Sequence, residues 1–371
     1  MHNKRLLTRV SLVLASILTL PLQAQVIALK NVNIVDVNKM EVKKHQTVLI
    51  EDNKIKSIID KKKPRLKKKT IVIDMEGKFV MPGLIDTHVH HATVPDGSDN
   101  DQLTRKRLRN LLRGGVTSVR DMGGDTRTLA SLKRRAEIDV IQSPDIYYSV
   151  IIGGEEFFSD PRTVASAKGR KPGDVDWMRA VNDDSQFDEI MLRAAGTGAT
   201  GIKIYAKVPP HLIPKLQTSA KKYGLKVWSH AFVGPARPKQ LVNAGVETIS
   251  HAPDISAHVV DNFYQLRREG KHITEQQKTA SFELARYDDL MAAMKQKDTI
   301  LDSTLTVFHK YQDARGERGK LMHSWGTTFT KLAHDYGIKI SVGTDSTSDS
   351  FNLNYPLVQH EMQLMVSESG F

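Results

Sequence analysis

Four histidines, one lysine and one aspartate lie in or directly after short apolar runs of this sequence, and these residue types can bind metal ions. His88 and His90 close the segment LIDTHVH. The other four residues are associated with later runs: Lys203, His230, His251 and Asp345. Because side chains alternate along a strand, His88 and His90 face the same way, so one strand can supply two ligands to one ion. A lone histidine in such a run is usually structural, but four gathered at strand ends predict a metal site.

Lys203 is the unusual member of this group, since a lysine in an apolar strand is costly to bury as a cation. Its side chain either reaches solvent or is carbamylated by carbon dioxide, which would make it an anionic bridging ligand. The same alternation places Tyr205 beside Lys203 on the inward face, with Ile202 and Ile204 facing outward. The chain has no cysteine, so any metal must be held by His, Asp, Glu or Lys.

Eight apolar runs, separated by segments long enough for helices, position these residues. They occupy residues 84–90, 116–123, 145–151, 201–206, 226–231, 247–252, 299–305 and 339–346. This alternation is typical of the α/β class and predicts a (β/α)8 TIM barrel, whose catalytic groups lie at the C-terminal ends of the strands. Residues 355–366 predict the helix after the eighth strand. The insert from Gly153 to about Asp184 predicts a long irregular loop over the barrel mouth.

The chain before the barrel divides into two further parts. Residues 1–25 combine three basic residues, an apolar stretch from Val10 to Leu20 and a small-residue cleavage region, which together predict a signal peptide. The apolar stretch is too short to span a membrane, so the mature chain is expected in a bacterial periplasm or secreted, without an anchor. Residues 26–80 predict antiparallel strands of a small, partial β-sandwich, and the barrel is expected over 81–371.

The positive charge of the chain is local. The formal net charge is +12, but three basic residues lie in the predicted signal peptide and seven in Lys61–Lys69. Little net charge is left for the rest of the chain, so no nucleic-acid-binding stripe is expected. The basic run is most simply a solvated loop, with contact to an anionic envelope or polymer as the alternative.

The motifs PGLIDTHVH, GGVTSVRDMG, GIKIYA, VWSHA, GVETISHA and VGTDS occur in this order along the chain. Together they resemble the metal-dependent amidohydrolase superfamily, in the branch of imidazolonepropionase-like proteins and prolidase-like dipeptidases. The resemblance covers almost everything after Val26. It implies a hydrolase that cleaves a carbon–nitrogen bond, an amide or peptide bond, in a small substrate such as a dipeptide or an N-acyl amino acid.

The resemblance also implies a ligand set for two divalent ions, usually zinc. His88 and His90 would hold the more buried ion together with Asp345, and His230 and His251 would hold the more exposed one. Carbamylated Lys203 would bridge them. Water held between two such ions has a lowered pKa, so a bridging hydroxide can attack the substrate.

Two residues are predicted to act on the reacting atoms. Asp345 would take a proton from the attacking water and return it to the leaving nitrogen. Tyr205 would be a second donor to the oxyanion, or would pack over the lysine.

Further residues near the strand ends have a structural and a functional interpretation. His91 has the opposite parity to His90 and is expected to be structural. Arg120 and Asp121 predict a salt-bridged pair that braces the site, with binding of a substrate carboxylate as the alternative. Glu155 and Glu156 predict a solvated lid, or recognition of a cationic substrate group.

Two pairs complete the set of residues that the sequence singles out. His309 and Lys310 predict an exposed loop pair, or a reader of a substrate carboxylate. Trp177 and Trp228 are expected to pack rather than to form a substrate platform.

The sequence differs from the usual pattern of the superfamily at its C-terminal end. Members normally continue with strands that complete the sandwich, whereas this sequence stops at SESGF. Open strand edges over 26–80 are therefore expected to favour self-association, including a homo-oligomer. Two other functions remain open: a lactonase or phosphotriesterase, since bridging hydroxide also attacks esters, and an inactive fragment that keeps its metal ligands.

Overall fold

The computed structural model describes residues 26–60, 64–93, 99–263, 265, 271–347 and 355–371. The predicted signal peptide and the first three residues of the basic run lie outside the described residues. The chain divides into two compact units between Pro82 and Gly83. No described helix combines the length and the apolar character that a membrane crossing requires.

The N-terminal unit contains one five-stranded sheet in the order β3-β2-β1-β4, with β5 also paired to β1. Its strands are β1 (Ile27–Asp36), β2 (Glu41–Glu51), β3 (Lys54–Ile59), β4 (Ile71–Asp74) and β5 (Phe79–Val80). The first three strands are antiparallel, as expected. The expectation is wrong for β4 and β5, which run parallel to β1. The segment between β3 and β4 is too long for a hairpin turn, so β4 enters on the other side of β1.

The eight apolar runs all form strands of one parallel barrel, which confirms the predicted fold. They are β6 (Leu84–Val89), β7 (Val116–Asp121), β8 (Asp145–Gly154), β11 (Gly201–Ile204), β12 (Lys226–His230), β13 (Thr248–Ser250), β14 (Ile300–Asp302) and β15 (Ile340–Ser341). Backbone hydrogen bonds between the end of β6 and the segment that follows β15 close the barrel. The Asp345 N–H donates to the His88 carbonyl, and the His90 N–H donates to the Ser346 carbonyl, both at 2.8 Å.

Eleven α-helices are seen in the described part of the chain, and most pack on the outside of the barrel. They are α1 (Asp101–Arg113), α2 (Thr126–Glu137), α3 (Pro161–Ser166), α4 (Phe187–Gly196), α5 (Ile213–Lys222), α6 (Pro238–Asn243), α7 (Glu275–Ser281), α8 (Asp288–Lys297), α9 (Leu305–Ala314), α10 (Gly316–Asp335) and α11 (Leu357–Ser369). The predicted helix after the eighth strand is therefore present as α11. Between strands and helices lies one continuous apolar core, which contains Ile202 and Ile204 as expected.

The insert after β8 is more regular than predicted. It contains a 3-10 turn (Glu155–Ser159), α3, and the strands β9 (Asp174–Val175) and β10 (Met178–Val181). Strand β10 pairs in parallel with β8, so the insert extends the barrel sheet. Its own apolar cluster includes Phe157, Phe158 and the fully buried Trp177. We call residues 155–181 the lid, because several of them line the cavity at the barrel mouth.

Candidate metal centre

The C-terminal end of β6 and the segment after β15 meet at the closure of the barrel, where they form a cluster of three metal-binding side chains. His88, His90 and Asp345 each offer a ligand atom, and these atoms all lie within 4.8 Å of one another. The Nε2 atoms of His88 and His90 lie 3.4 Å and 3.1 Å from Asp345 Oδ1. Two imidazoles and one carboxylate are a donor set suited to zinc and similar divalent ions.

The surroundings of His88 orient its ring for metal binding. Its Nδ1 lies 2.7 Å from Asp302 Oδ2, at the end of β14. Because a carboxylate can only accept, the imidazole proton is on Nδ1 and the lone pair of Nε2 points to His90 and Asp345. This Nε2 is buried and has no hydrogen-bond partner among the described residues. A carboxylate behind a ligating histidine is the arrangement found at zinc sites, so these residues fit a metal ion.

Electrostatics keep the donor groups in the forms that a cation requires. Burial lowers the pKa of His88 to about 4, so its imidazole is neutral at physiological pH. Burial would raise the pKa of Asp345, but His88 and His90 hold it well below its ordinary value. Burial would likewise raise the pKa of Asp302, and His88 and Arg120 hold it below its usual value. Both carboxylates are therefore ionised.

Asp302 connects the centre to Lys203, and sequence reasoning missed it. Its Oδ2 accepts a hydrogen bond of 3.0 Å from Ser250 Oγ, and this hydroxyl is 2.6 Å from Lys203 Nζ. Arg120 Nη2 lies 3.6 Å from the same Oδ2. An aspartate inside the apolar run TILDSTL was the available signal, because a carboxylate in a buried strand needs a charged or polar partner.

Arg120 and Asp121 brace this end of the barrel, but each contacts other residues. The predicted salt bridge between the two is therefore not formed. Arg120 Nε donates to the Thr87 carbonyl, and its guanidinium lies over the Trp228 ring at 4.6 Å. Asp121 accepts the backbone N–H of His91 at 2.7 Å. Adjacent strand residues point to opposite faces, so the two side chains cannot meet. Trp228 is a packing residue, as predicted.

The remaining predicted ligands lie at the same end of the barrel. Lys203 is fully buried on β11, which excludes the solvent-reaching interpretation. The rings of His230 and His251 are 4.6 Å apart, and His251 is 5.1 Å from His88. Tyr205 stands 4.6 Å from His230, and its hydroxyl donates to the Met122 carbonyl at 3.2 Å. The barrel thus collects all six predicted ligands at one end.

Backbone conformation at the strand ends is unusual. His251, Thr304 and Asp345 have φ angles of 74°, 53° and 53°, in the left-handed region that non-glycine residues rarely adopt. Each follows a different strand of the barrel. Three such residues around one site indicate that the surrounding packing holds these side chains in place, as at many functional sites.

One glycine is required by close packing at the centre. A Cβ atom on Gly343 would lie 2.2 Å from Asp302 Oδ1 and 2.7 Å from His88 Cβ. These separations are well below contact distance, so a side chain here would displace the histidine or its carboxylate partner. The glycine of the VGTDS motif therefore leaves the room in which Asp302 and His88 meet.

The metal centre opens into a cavity of about 430 Å³ at the barrel mouth. Its walls include His90, His230 and His251 of the centre, together with Tyr205. The lid, α9 and the start of α10 supply basic side chains that sequence reasoning missed, apart from Lys310. They are Arg162, Lys310, Arg315 and Arg318.

Several residues singled out in the sequence lie elsewhere. Glu155 and Glu156 are exposed and line a separate cavity, where Glu156 pairs with Lys207 at 3.0 Å. The prediction that His309 and Lys310 lie in a loop is wrong, because both belong to α9. The ring of His309 faces His360 at 5.2 Å.

Known proteins share both the sequence pattern and the fold. The sequence model of the amidohydrolase family matches residues 79–368. A dihydroorotase from Carboxydothermus hydrogenoformans is 43% identical over 89 residues, which span 22% of this chain and 20% of the dihydroorotase. The chain thus covers about a fifth of that curated relative.

Two solved structures resemble the fold over most of the chain. One is the ochratoxinase of A. niger, with a TM-score of 0.68 and 16% identity over 94% of this chain and 81% of that one. The other is a Xaa-Pro dipeptidase with bound methionine in its active site, with a TM-score of 0.68 and 19% identity over 94% and 84%. At such identities the likeness shows the fold. The family match covers most of the sequence, so the chain belongs to the amidohydrolase family.

Proposed function

We propose that this protein hydrolyses the amide bond of a small substrate, a dipeptide or an N-acyl amino acid, with two divalent metal ions. The observation that carries the proposal is the convergence of His88, His90 and Asp345 at the base of a cavity, with Asp302 fixing the tautomer of His88. A purely structural histidine cluster would have its ring nitrogens hydrogen-bonded, whereas His88 Nε2 is left for a cation.

The ligand assignment follows the positions of the side chains. His88, His90 and Asp345 would hold one ion, and His230 and His251 a second. Zinc fits these nitrogen and oxygen donors, and the bound ions would supply Lewis acidity and a nucleophile at neutral pH.

Lys203 would bridge the two ligand groups. We propose that it is carbamylated, because a buried ammonium is costly while a carbamate provides two oxygens for cations. In the structure its nitrogen contacts Ser250, whose hydroxyl also bonds Asp302, so Lys203 is already held at the centre.

Asp345 is the group best placed to move a proton during the reaction. Its side chain is 22% exposed, toward the cavity, whereas Asp302 is fully buried. The neighbouring histidines keep it ionised, so it can accept a proton from water and pass it to the leaving nitrogen. Tyr205 lines the same cavity, and its hydroxyl would turn from the Met122 carbonyl to the substrate oxyanion.

The cavity is suited to a small substrate. Phe157 of the lid stacks on Tyr205 at 5.5 Å and covers one side of the space beside the metal centre. A volume of about 430 Å³ accommodates a molecule of dipeptide size. The basic, apolar and cleavage regions of residues 1–25 support export, which puts the proposed reaction in a periplasm or outside the cell.

Removal and return of metal test this function. We expect the purified mature protein to contain close to two divalent ions, and chelation to abolish hydrolysis of a dipeptide library until zinc is restored. His88→Ala should lose the first ion and all activity, because it removes a ligand of that ion, and Lys203→Ala should lose the second, because it removes the proposed bridge. His211→Ala, which removes an exposed histidine paired with Asp183, is the matched control.

Elemental analysis and rates on the same preparations decide the outcome. Full hydrolysis in metal-free protein would refute the proposal. Lactones and phosphotriesters assayed beside the dipeptides show whether esters are turned over faster than amides, which would refute the amide assignment alone.

A further inference from the structure

Apolar side chains line the cavity from two sides, from β8 and the lid on one and from α9 and α10 on the other. They are Ile151, Phe157 and Met178 on the first side, and Val307, Phe308 and Met322 on the second. Apart from Val307, each of these residues is at most 9% exposed. The cavity therefore has two buried apolar walls.

The basic side chains of the lining are more exposed than these buried apolar ones. The Arg162 side chain is 69% exposed and is paired with Asp160, whose carboxylate oxygens lie 3.0 Å and 2.6 Å from its Nε and Nη2. Arg315 is also exposed, and its guanidinium carbon lies 3.5 Å from the centre of the Tyr311 ring. The apolar side chains thus form the buried part of the wall, and the charged groups form the part that faces solvent.

Each apolar wall adjoins one histidine of the proposed second metal position. Phe157 stacks on Tyr205 with ring centres 5.5 Å apart, and Tyr205 is 4.6 Å from His230. On the other side, the ring of Phe308 lies edge-on to His251 at 6.0 Å. A substrate whose scissile carbonyl lies near the two histidines therefore places the side chain of an adjoining residue against these walls.

Such walls discriminate between side chains by polarity. A polar side chain that enters this space loses its hydrogen bonds to water, and Phe157, Phe308 and Met322 offer no strong donor or acceptor in exchange. An apolar side chain of the same size is instead stabilised when it leaves water. The buried part of the cavity therefore favours apolar over polar side chains of equal size.

We propose that the cavity contains a subsite for a bulky apolar side chain, so that the substrate is a dipeptide or N-acyl amino acid with a leucine-sized or larger apolar residue next to the scissile bond. Phe157, Phe308 and Met322 would contact this side chain. This inference rests on the proposed amide hydrolysis and names its substrate class.

Matched dipeptides test the inference. Leucine and asparagine have side chains of nearly the same size and shape but of different polarity. The two pairs are leucyl-alanine with asparaginyl-alanine, and alanyl-leucine with alanyl-asparagine. We expect kcat/KM of the metal-loaded protein to be about tenfold or more higher for the leucine member of at least one pair, and that pair identifies the residue in the subsite. Equal values within both pairs would overturn the proposal and leave the amidohydrolase activity intact.

Variants of the two walls locate the effect. Met322→Gln places an amide in the wall with little change in side-chain length, so it should lower the preference for leucine over asparagine about fivefold. Met362→Gln is the matched control, since Met362 is 38% exposed on α11 and is not among the residues that line the cavity. An unchanged preference in Met322→Gln, or an equal change in the control, would contradict the subsite.

A second pair of variants tests the wall formed by the lid and does not depend on the folding of Met322→Gln. Phe157 and Phe158 are neighbours in one apolar cluster, and of the two Phe157 lines the cavity. Phe157→Leu should lower the leucine preference about threefold, because contact area is lost, whereas Phe158→Leu should keep it. Equal changes in the two variants would contradict a contact between Phe157 and the substrate.

A binding measurement separates this inference from the proposed function. Free leucine and free asparagine can be titrated calorimetrically into the protein without any turnover. Leucine should bind at least about tenfold more tightly, with the negative heat-capacity change that marks burial of apolar surface, and Met322→Gln should reduce the difference. If no dipeptide is hydrolysed, the proposed function fails and binding decides the inference. A leucine advantage then supports the subsite, and no advantage over asparagine overturns it.

Discussion

At the scale of single residues, the centre depends on a carboxylate that binds no substrate. Asp302 touches His88, Ser250 and Arg120, and through these contacts it orients the metal-binding face of the histidine. Asp345, in contrast to the buried Asp302, exposes part of its side chain to the cavity. One aspartate positions a ligand, and the other is available for proton transfer. Replacing each aspartate in turn by asparagine separates these two roles.

Asp302→Asn should weaken metal binding by about 10- to 100-fold, the usual effect of losing a partner behind a ligating histidine. The amide can accept one hydrogen bond but cannot balance the charge of the neighbouring cations. Metal affinity is measured by competition with a chromogenic chelator. Asp298→Asn, an exposed aspartate paired with Lys339, serves as the control. Unchanged metal affinity would show that Asp302 is dispensable for orientation.

Asp345→Asn should keep much of the metal and lose most turnover, by about two to four orders of magnitude. An amide oxygen still coordinates weakly, but it cannot accept a proton and return it to the leaving nitrogen. Metal content and hydrolysis rate are measured on one preparation. A variant with both ions and a near wild-type rate would limit Asp345 to the role of ligand, with the proton moving through Tyr205 or His91.

At the scale of elements, α9 is anchored by a side chain from α11. Both Glu361 oxygens accept backbone N–H groups at the N-terminus of α9, from Leu305 at 2.7 Å and Thr306 at 2.6 Å. These N–H groups have no partner inside the helix, so the carboxyl satisfies them in the core. Because α9 carries Lys310 and leads to Arg315, this anchor also positions two basic side chains that line the cavity.

Glu361 should make stability depend on pH. Burial raises its pKa to about 8, so the folded protein keeps the proton while the unfolded chain loses it above about 4.5. The folded state then binds more protons, and the free energy of unfolding falls as pH rises from about 5 to 8. Glu361→Gln should flatten this slope in denaturant titrations. Glu189→Gln on α4 is the control, and parallel curves for Glu361→Gln and wild type would contradict the prediction.

At the scale of the whole molecule, the two units bury their apolar residues to different extents. The barrel encloses a continuous core, whereas strands of the N-terminal sheet leave large apolar side chains open. Ile55 is 65% exposed and Phe79 is 62% exposed. Strands with exposed apolar side chains can pair with another copy of the chain. We therefore propose self-association through residues 26–80.

Ile55→Lys should reduce concentration-dependent association, because a charge on an exposed strand opposes pairing. Light scattering or sedimentation over a range of protein concentrations measures the effect. Val140→Lys is the matched control, since Val140 is 63% exposed but lies in the barrel unit. A wild-type protein that stays monomeric at all concentrations would contradict this prediction.

The barrel and the positions of the histidines on its strands could be predicted from the amino-acid sequence alone. Strand periodicity depends on local alternation of apolar residues, and the ends of barrel strands are where side chains converge, so His88, His90 and Asp345 could be placed together without coordinates. Asp302, Glu361 and the arginines that line the cavity were recognised only in the folded protein. Asp302 and Glu361 act through partners that are distant along the chain, as with Glu361 and Leu305, and the arginines come to the cavity from separate elements. Whether a buried carboxylate faces a histidine, a helix end or a cavity is decided by packing between elements, which the local pattern of a sequence does not encode.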